Sequence, residues 1–382
     1  MIRYGIIGTG MMGVEHILNI NSIDGAEVVA ISDPHPPSIQ AGVDAAAPLS
    51  NGGELATFAT HTELLDSGLC DAVVVVSPNF THHAIVTDIA PHDVHVMIEK
   101  PLCTTVDDAL DLMTTFGPAP TMSDGSPKIV WVALEYRYMP PVAAMIDQVR
   151  TGDIGRPRMV SITEHRFPFL VKVGDWNRFS ENTGGTLVEK CCHFFDLMHL
   201  ITSENPVRVY ASGAQDVNHL DETYDGRVPD ILDNAYVIVD FASGARAMLD
   251  LCMFAEATFN QEELSVIGAR GKVESLIPEG TVRKGLRGTH DIGKVEVELV
   301  HDTSILHEGL HHGSSFVEHT RFCAAIRGEQ EIEVTLADGM WAVATGAAAH
   351  RSIDEGRPVD ITELVSPEAY AATGWPARKE AR

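Results

Sequence analysis

Apolar residues in the first third of the chain form short runs of the kind found in buried strands, separated by stretches with helical spacing. The strand-like runs are residues 3–7, 28–32, 72–76, 94–98 and 129–133, and the helical stretches are residues 11–21, 81–90 and 104–116. Strands that alternate with helices are typical of a parallel, doubly wound sheet. The pattern therefore predicts an α/β domain over residues 1–135.

The pattern changes after about residue 135, where strand-like segments follow one another with few helices between them. The strand-like segments are residues 159–166, 207–211, 235–241, 245–253, 263–267, 271–275 and 295–300, and the helical ones are residues 141–151, 193–201, 315–327 and 336–355. Many strands with hairpin-like spacing indicate an α+β domain with a mostly antiparallel sheet and helices on one face. We expect this domain to span residues 136–370, followed by a loosely held tail over residues 371–382.

Charge and composition exclude several classes of protein. The chain carries 54 acidic and 27 basic residues, a formal net charge of −27, which argues against a nucleic-acid partner. No apolar run approaches the roughly 20 residues that a membrane-spanning helix needs. The N-terminus enters a strand at once and shows no signal-peptide plan, so we expect a cytoplasmic protein. The spacing of the six cysteines matches neither a redox pair nor a zinc cluster, and no metal is expected.

A glycine motif joins the first predicted strand to the first predicted helix. Gly8, Gly10 and Gly13 form a complete G-x-G-x-x-G, and Met11 and Met12 open the helix. In such a motif the first glycine permits a tight turn, the second lets the backbone approach a pyrophosphate, and the third lets helix and strand pack closely. The N–H groups at the start of the helix then face the phosphates. This context predicts a Rossmann domain.

Asp33 gives the motif its expected acidic partner. It ends the second strand-like run, twenty residues after Gly13, where a carboxylate can bind the ribose hydroxyls of a dinucleotide. Pro34 and His35 follow, without an adjacent Arg or Lys. A carboxylate there repels a 2′-phosphate, so the sequence favours NAD over NADP.

Two further strand ends carry polar residues. Ligands of open α/β sheets bind beyond the carboxyl ends of the strands. The expected cofactor-binding residues at these two ends are Ser77, Pro78, Asn79, His82, Glu99 and Lys100. The alternative for the first group is a strand-to-helix turn capped by Asn79 or Thr81, and both descriptions can hold together. In the second group Pro101 can force a turn, through a cis bond, that points Lys100 into the cleft.

The second candidate cluster comprises Glu189, His193 and Asp196. If the segment is helical, Glu189 and His193 share one face. A carboxylate beside an imidazole can raise its pKa and orient it as a base. The alternatives are a core or capping histidine with solvent-exposed carboxylates, or, less favoured, a metal site with only two candidate ligands.

The order of these motifs resembles that of the Gfo/Idh/MocA oxidoreductases, which include glucose–fructose oxidoreductase, inositol dehydrogenases and dihydrodiol dehydrogenase. The resemblance covers nearly the whole chain and includes Arg137-Tyr138-Met139-Pro140 after the last Rossmann strand. It implies an open sheet in the second domain, whose face often forms a dimer contact, so we expect a homodimer or homotetramer. It also implies catalytic roles for Lys100 and His193, and for Glu189 at a position usually held by Asp.

This chain departs from the family pattern at four positions. Glu189 replaces the usual Asp, and Cys191 stands where Gly is common. Lys190 adds a charge, and Glu135 lies near a position where Asn is often found. These departures bear on the identity of the substrate more than on the chemistry.

The resulting hypothesis is an NAD-dependent oxidoreductase acting on a secondary alcohol of a sugar, sugar acid or cyclitol. His193 removes the hydroxyl proton and Lys100 stabilises the alkoxide, although the sequence leaves open which of them is the formal base. Expected substrate contacts are Arg166, Lys172, Trp176 and Asn177, with a surface loop around a packed tryptophan as the alternative. A basic cluster there can also select a carboxylated sugar.

Two other functions fit the same motifs. One is a glycoside hydrolase that oxidises and re-reduces its sugar with a retained NAD; relatives of that type usually carry an export signal. The other is a non-enzymatic NAD-sensing regulator, which tends to lose the catalytic Lys or His. The chain has both residues.

Overall fold

The structure is a computed structural model that describes residues 1–46, 49 and 52–376. No helix in these described ranges is both long enough and apolar enough to cross a lipid bilayer.

The N-terminal part of the described chain folds around a parallel sheet. Its elements are β1 (Ile2–Ile7), α1 (Met11–Asn21), β2 (Ala26–Ser32), α2 (Pro36–Ala45), β3 (Ala56–Phe58), α3 (His61–Asp66), β4 (Ala72–Val75), α4 (His82–Ile89), β5 (His95–Glu99), α5 (Val106–Phe116) and β6 (Val130–Ala133). The strand order is β3-β2-β1-β4-β5-β6, and every pairing is parallel. This is the order of a dinucleotide-binding Rossmann domain.

Strand register brings the predicted site residues to one edge. Ile7 pairs with Ser32 on one side and with Val75 on the other, so Gly8, Asp33 and the segment after β4 leave the sheet together. Glu99 at the end of β5 pairs with Ala133 at the end of β6. All the candidate loops of this domain therefore lie at the carboxyl edge of the sheet.

The C-terminal part of the described chain contains a second sheet. Its elements are α6 (Pro140–Arg150), β7 (Pro157–His165), α7 (Ser180–Thr183), α8 (Thr186–Glu189), α9 (Cys192–Thr202), β8 (Pro206–Ala214), β9 (Asn234–Phe241), β10 (Arg246–Cys252), β11 (Glu262–Gly268), β12 (Gly271–Ile277), β13 (Thr281–Leu286), β14 (Glu296–Leu299), α10 (Ser314–Ile326), α11 (Leu336–Glu355), β15 (Val359–Asp360) and α12 (Pro367–Ala372). The strand order is β14-β13-β12-β11-β7-β10-β9-β8-β15. The pairings are antiparallel except for β7 with β10. The predicted α+β domain with a mostly antiparallel sheet is confirmed.

One face of the second sheet is covered by helices and the other is open. Along β9, buried and exposed residues alternate, which is the pattern of a sheet with one packed face. The open face carries large apolar side chains, among them Tyr210, Ile238, Met248 and Tyr236, which is 62% exposed.

Helix α11 joins the two halves of the molecule. It packs against α5 and β6 of the Rossmann domain and against α8, α9 and β8 of the second domain. Close packing is possible because Gly346 lies against the backbone at Leu187, where an added Cβ would be 2.5 Å from the carbonyl oxygen. The C-terminal helices therefore hold the first domain's strand ends against the second domain.

The residues after Tyr370 differ from the expected loose tail as far as the structure describes them. Thr373 is buried, and the Trp375 indole N–H donates a hydrogen bond to the Met113 carbonyl at the end of α5 (3.1 Å). This part of the tail is packed on the Rossmann domain. Residues 377–382 lie outside the described residues.

Candidate active site

The glycine turn forms a cradle beside the start of α1. Gly8 has a positive φ of 99°, and an added Cβ would lie 2.8 Å from the Val76 carbonyl oxygen. A Cβ on Gly13 would lie 2.2 Å from the Gly8 carbonyl oxygen, whereas one on Gly10 would meet no described atom within 4 Å. The fold thus requires glycine at Gly8 and Gly13. At Gly10 there is open space in which a ligand can approach the protein backbone. Met11 and Met12 begin the helix, with Met11 exposed.

Asp33 is held next to this turn by main-chain donors. The Thr9 N–H donates to Asp33 Oδ2 and the His35 N–H donates to Oδ1, both at 2.8 Å. A fixed carboxylate beside an open glycine backbone and a helix N-terminus fits the ribose and pyrophosphate of NAD.

Alanine at the two glycines should separate folding from cofactor binding. Gly10→Ala should leave the thermal unfolding temperature unchanged, because its φ of −69° suits alanine and the site is open. It should weaken NAD binding by about 1–3 kcal/mol of steric cost, or about 5- to 150-fold in Kd. Gly13→Ala should instead lower the unfolding temperature, since its Cβ meets backbone. Calorimetric titration with NAD and thermal unfolding test both; unchanged NAD affinity in Gly10→Ala would contradict this placement.

The turn after β4 supplies one free donor. Asn79 is buried, and within the described part of the chain its side-chain Nδ2 has no hydrogen-bond partner. Ser77 Oγ lies 2.7 Å from Thr81 Oγ1, and the Pro78 carbonyl accepts from the Thr81 N–H. Asn79 is therefore the residue of this turn whose side-chain donor is available to bind a ligand.

His82 and Glu99 occupy positions that differ from the cofactor contacts expected of them. The ring nitrogens of His82 lie 2.9 Å from the Pro101 carbonyl oxygen and 3.0 Å from that of Ser77, so the imidazole ties two loops together. Glu99 Oε1 bonds to His16 Nε2 (2.9 Å) and Oε2 accepts from the Lys100 N–H. Both side chains support the loops from within rather than face open space.

Lys100 links the two domains. Its Nζ donates to the main-chain carbonyl of Glu189 (3.2 Å), and the Lys100–Pro101 peptide bond is cis. Burial would lower the pKa of Lys100, but the surrounding Cys192, Glu99, Glu135 and Glu189 outweigh burial and raise it. The ammonium therefore stays charged at neutral pH.

Glu189 is expected to hold Lys100 or His193 in place, and the structure brings its main chain, not its carboxylate, to Lys100. Helix α8 ends at Glu189 and α9 begins at Cys192, so the two residues do not share one continuous helix face. It is the Glu189 carbonyl, not the carboxylate, that holds Lys100. Burial raises the pKa of the Glu189 carboxyl to about 7, although Lys100 and Lys172 oppose the rise.

His193 is a buried, neutral imidazole. Its ring stacks on Tyr136 with centroids 4.0 Å apart and planes 9° apart. Burial, followed by the charges of Lys100 and Lys190, holds its pKa well below the usual range. This is opposite to the raised pKa expected from a neighbouring Asp196, because Asp196 is bound by Arg137 (Nε to Oδ2, 2.6 Å). A neutral imidazole can accept a proton from a substrate hydroxyl.

The expected substrate contacts fall into two groups. Arg166 and Lys172 are half-buried, and Arg166 lines a cavity of about 180 Å³ at the end of β7. Burial lowers the pKa of Lys172, while the charge of Glu189 opposes this change and that of Lys100 adds to it. Trp176 packs edge-to-face on Phe80 of the turn after β4 (6.3 Å). Asn177 is fully buried, and its Nδ2 donates to the Leu170 carbonyl and so supports the loop, whereas within the described part of the chain its Oδ1 has no hydrogen-bond partner.

The structure adds a buried charged cluster to these residues. Lys190 Nζ donates to the Tyr136 hydroxyl (2.5 Å) and pairs with Glu164 Oε1 (2.9 Å). Glu164 faces Glu262 across the β7–β11 pairing, and burial together with Glu164 raises the pKa of Glu262 to about 8. The unexpected charge of Lys190 in the sequence was the available signal for this cluster.

Glu135 and His311 join His193 at the junction of the domains. Glu135 Oε1 lies 3.7 Å from His193 Nε2 and 3.6 Å from His311 Nδ1. In the sequence, Glu135 differs from the family pattern but belongs to no motif with His311, and no motif surrounds His311. Their proximity follows from the fold alone.

Comparisons with known proteins agree with this architecture. Residues 2–119 match the family described as "Oxidoreductase family, NAD-binding Rossmann fold", and residues 146–361 match "Oxidoreductase family, C-terminal alpha/beta domain". The myo-inositol 2-dehydrogenase of Thermotoga maritima is 28% identical over 95% of this chain and 100% of its own. The inositol 2-dehydrogenase of Rhizobium meliloti is 26% identical over 94% and 99% of the two chains.

Solved structures share the fold. An oxidoreductase from Agrobacterium radiobacter, in complex with NAD⁺, L-tartaric acid and magnesium, has a TM-score of 0.76 at 19% identity and covers 95% of this chain and 99% of its own. The two matching family regions together take in both domains of the chain. The chain therefore belongs to the Gfo/Idh/MocA family of NAD(P)-dependent oxidoreductases.

Proposed function

We propose that this protein is an NAD-dependent dehydrogenase that interconverts a secondary alcohol and a ketone on a sugar, sugar acid or cyclitol. The observation that carries the proposal is the convergence of a charged lysine and a neutral histidine at the domain junction. Lys100 reaches from the end of β5 to the Glu189 carbonyl, and its charge contributes to the low pKa of His193. Relatives named inositol dehydrogenases along nearly the full chain support the substrate class.

The lysine and histidine take different parts in the proposed reaction. NAD, when bound, would supply the acceptor for the hydride of the carbinol carbon. His193 accepts the hydroxyl proton, because its low pKa keeps it neutral. Lys100, whose pKa is raised, donates a hydrogen bond to the same oxygen and stabilises negative charge developing there. We thus assign the base to His193 and the electrostatic role to Lys100.

The cofactor and substrate are held by separate parts of the site. Gly10, Asp33 and Asn79 would hold the dinucleotide along the carboxyl edge of the Rossmann sheet. Arg166 and Lys172 lie on the second-domain side, where two cations favour a substrate with several hydroxyls or a carboxylate.

The experiment that tests this function is the absorbance of NADH with purified protein, NAD and a panel of inositols, aldoses and sugar acids. A substrate-dependent rise in NADH is expected with at least one member. Absence of a rise with every member, in a protein shown to bind NAD, would overturn the proposal. Neither the site geometry nor the relatives reported above favour a glycoside hydrolase or an NAD-sensing regulator.

We further propose that two copies of the chain associate through the open face of the second sheet. The exposed Tyr236 and Ile238 form part of an apolar surface of the kind that marks interfaces. Sedimentation analysis should show a dimer or tetramer, and a monomer at micromolar concentration would contradict this. The cytoplasmic location stays a prediction.

A further inference from the structure

Glu135 is a buried carboxyl group that the reaction described above does not use. It lies two residues beyond β6, next to the end of β5 that carries Lys100. Its side chain is 2% exposed. Among the described residues, neither carboxylate oxygen has a hydrogen-bond partner. Burying a carboxylate without partners is costly, so such a group is expected to bind a proton or to have a function.

Two histidines from distant parts of the chain face one oxygen of this carboxyl group. His193 Nε2 is 3.7 Å and His311 Nδ1 is 3.6 Å from Glu135 Oε1. Both distances exceed a hydrogen bond, but catalytic contacts in ligand-free sites are often long and tighten on binding.

The three side chains run from the buried base toward solvent. The His193 side chain is 1% exposed, whereas that of His311 is 22% exposed. Bound substrate and cofactor would shield the site from water. A proton that His193 takes from a substrate therefore needs a route out of the site. Glu135 Oε1 lies near both histidines, and the His311 side chain is the most exposed of the three.

We propose that Glu135 and His311 relay the substrate proton from His193 to water, an inference that rests on the proposed dehydrogenase function. The substrate O–H bond breaks as an N–H bond forms at His193 Nε2. That N–H bond then breaks as an O–H bond forms at Glu135 Oε1. His311 receives the proton at Nδ1 and releases one to water from its other nitrogen. The hydrogen of the substrate C–H bond would leave with its electron pair as a hydride to bound NAD, so the relay itself moves only the hydroxyl proton.

The groups around Glu135 set its pKa and therefore the pH above which it can accept a proton in the relay. Burial, and then the charge of Glu99, raise its pKa to about 8, while Lys100 and Lys190 oppose the rise. The charge of Glu135 also acts on the pKa values of Glu318 on α10, Cys192 on α9 and Tyr136. Burial, followed by the charges of Lys190 and Lys100, lowers the pKa of His311 to about 3, so this imidazole is neutral near pH 8 and readily gives up a proton that it receives.

The sign of the pH effect follows from which form accepts a proton. The carboxylate that accepts a proton predominates above pH 8, so alcohol oxidation should rise through that pH. His193 and Lys100 keep one protonation state across this range, because the pKa of His193 is lowered and that of Lys100 is raised. Glu189, with a pKa of about 7, and Glu262, with a pKa of about 8, also titrate nearby, so the rise must be assigned by substitution.

Glu135→Gln is the first test. We expect kcat for alcohol oxidation above pH 8 to fall by about 10²-fold and the rise through pH 8 to disappear. Glu318→Gln is the matched control, since it removes another buried carboxyl group, one that accepts from the Trp131 indole N–H. It should keep the rise. A rise through pH 8 that persists in Glu135→Gln would overturn the relay.

His311→Asn and infrared spectroscopy provide two further tests of the relay. His311→Asn should lower kcat, and added imidazole buffer should restore it in proportion to buffer concentration; the exposed His301→Asn should show neither effect. Without any substrate, infrared titration should show carboxylic acid absorption that is lost near pH 8, and this absorption should be smaller in Glu135→Gln, where only the other buried carboxyl groups, such as Glu262, still contribute to it. Failure of imidazole to restore His311→Asn would remove His311 from the relay. If the unmodified protein oxidises no polyol, the proposed function fails, whereas a normal Glu135→Gln in an active enzyme overturns only the relay.

Discussion

His193→Ala should lower kcat for alcohol oxidation by about 10²–10⁴-fold, the usual contribution of a positioned proton acceptor. The residue is fully buried at the domain junction, and its low pKa keeps the imidazole neutral and able to accept a proton. NAD affinity should change little, because the glycine turn and Asp33 lie on other strand ends. Single-turnover kinetics and NAD titration of the same preparation measure both quantities.

Folding has to be separated from catalysis in this variant. Loss of the imidazole also removes its stacking on Tyr136, so some loss of thermal stability is expected. His193→Asn keeps a polar side chain there and provides the control: it should be similarly inactive and closer to the parent in stability. An unchanged kcat in a folded His193→Ala protein would refute the assignment of the base.

Several elements were predictable because local signals and packing agree. The helix predicted over residues 336–355 coincides with α11, since Thr335 and Asp338 form a capping box at its start and Gly356 ends it in a left-handed conformation. By contrast, β13 (Thr281–Leu286) was not predicted. Arginine, lysine and glycine follow one another in this strand, so its place in the sheet depends on pairing with β12 and β14.

The site was predictable where it follows strand ends and unpredictable where distant segments meet. Gly8, Asp33 and Lys100 each follow a strand, and parallel register places them at one edge. Glu135 and His311 are 176 residues apart in the sequence, and no local pattern joins them. Asp196 shows the converse error: proximity in sequence suggested His193 as its partner, but the fold supplies Arg137.

Arg137 is the centre of a buried ionic cluster that connects the domains. Its Nε donates to Asp196 Oδ2 (2.6 Å), its Nη1 donates to the Glu333 carbonyl (2.8 Å), and Nη2 lies 3.3 Å from Asp338 Oδ1. The Asp196 side chain is buried on α9, three residues after His193 on the same helix. Arg137 lies just after the end of β6. Its guanidinium thus connects this strand end to α9, to the segment before α11 and to the start of α11.

Arg137→Met should lower the free energy of unfolding by about 3–5 kcal/mol, because removing one partner leaves buried negative charge without its cation. Denaturant unfolding followed by circular dichroism measures this. Arg150→Met is the matched control: Arg150 pairs with Asp147 on the exposed surface of α6 (3.4 Å), where such pairs contribute about 0–1 kcal/mol. The double variant Arg137→Met/Asp196→Asn should be more stable than Arg137→Met alone, since it also removes the buried charge. Equal losses in Arg137→Met and Arg150→Met would show that the cluster does not stabilise the fold, and His193 would then owe its position to packing on Tyr136 rather than to the ionic anchor of its helix.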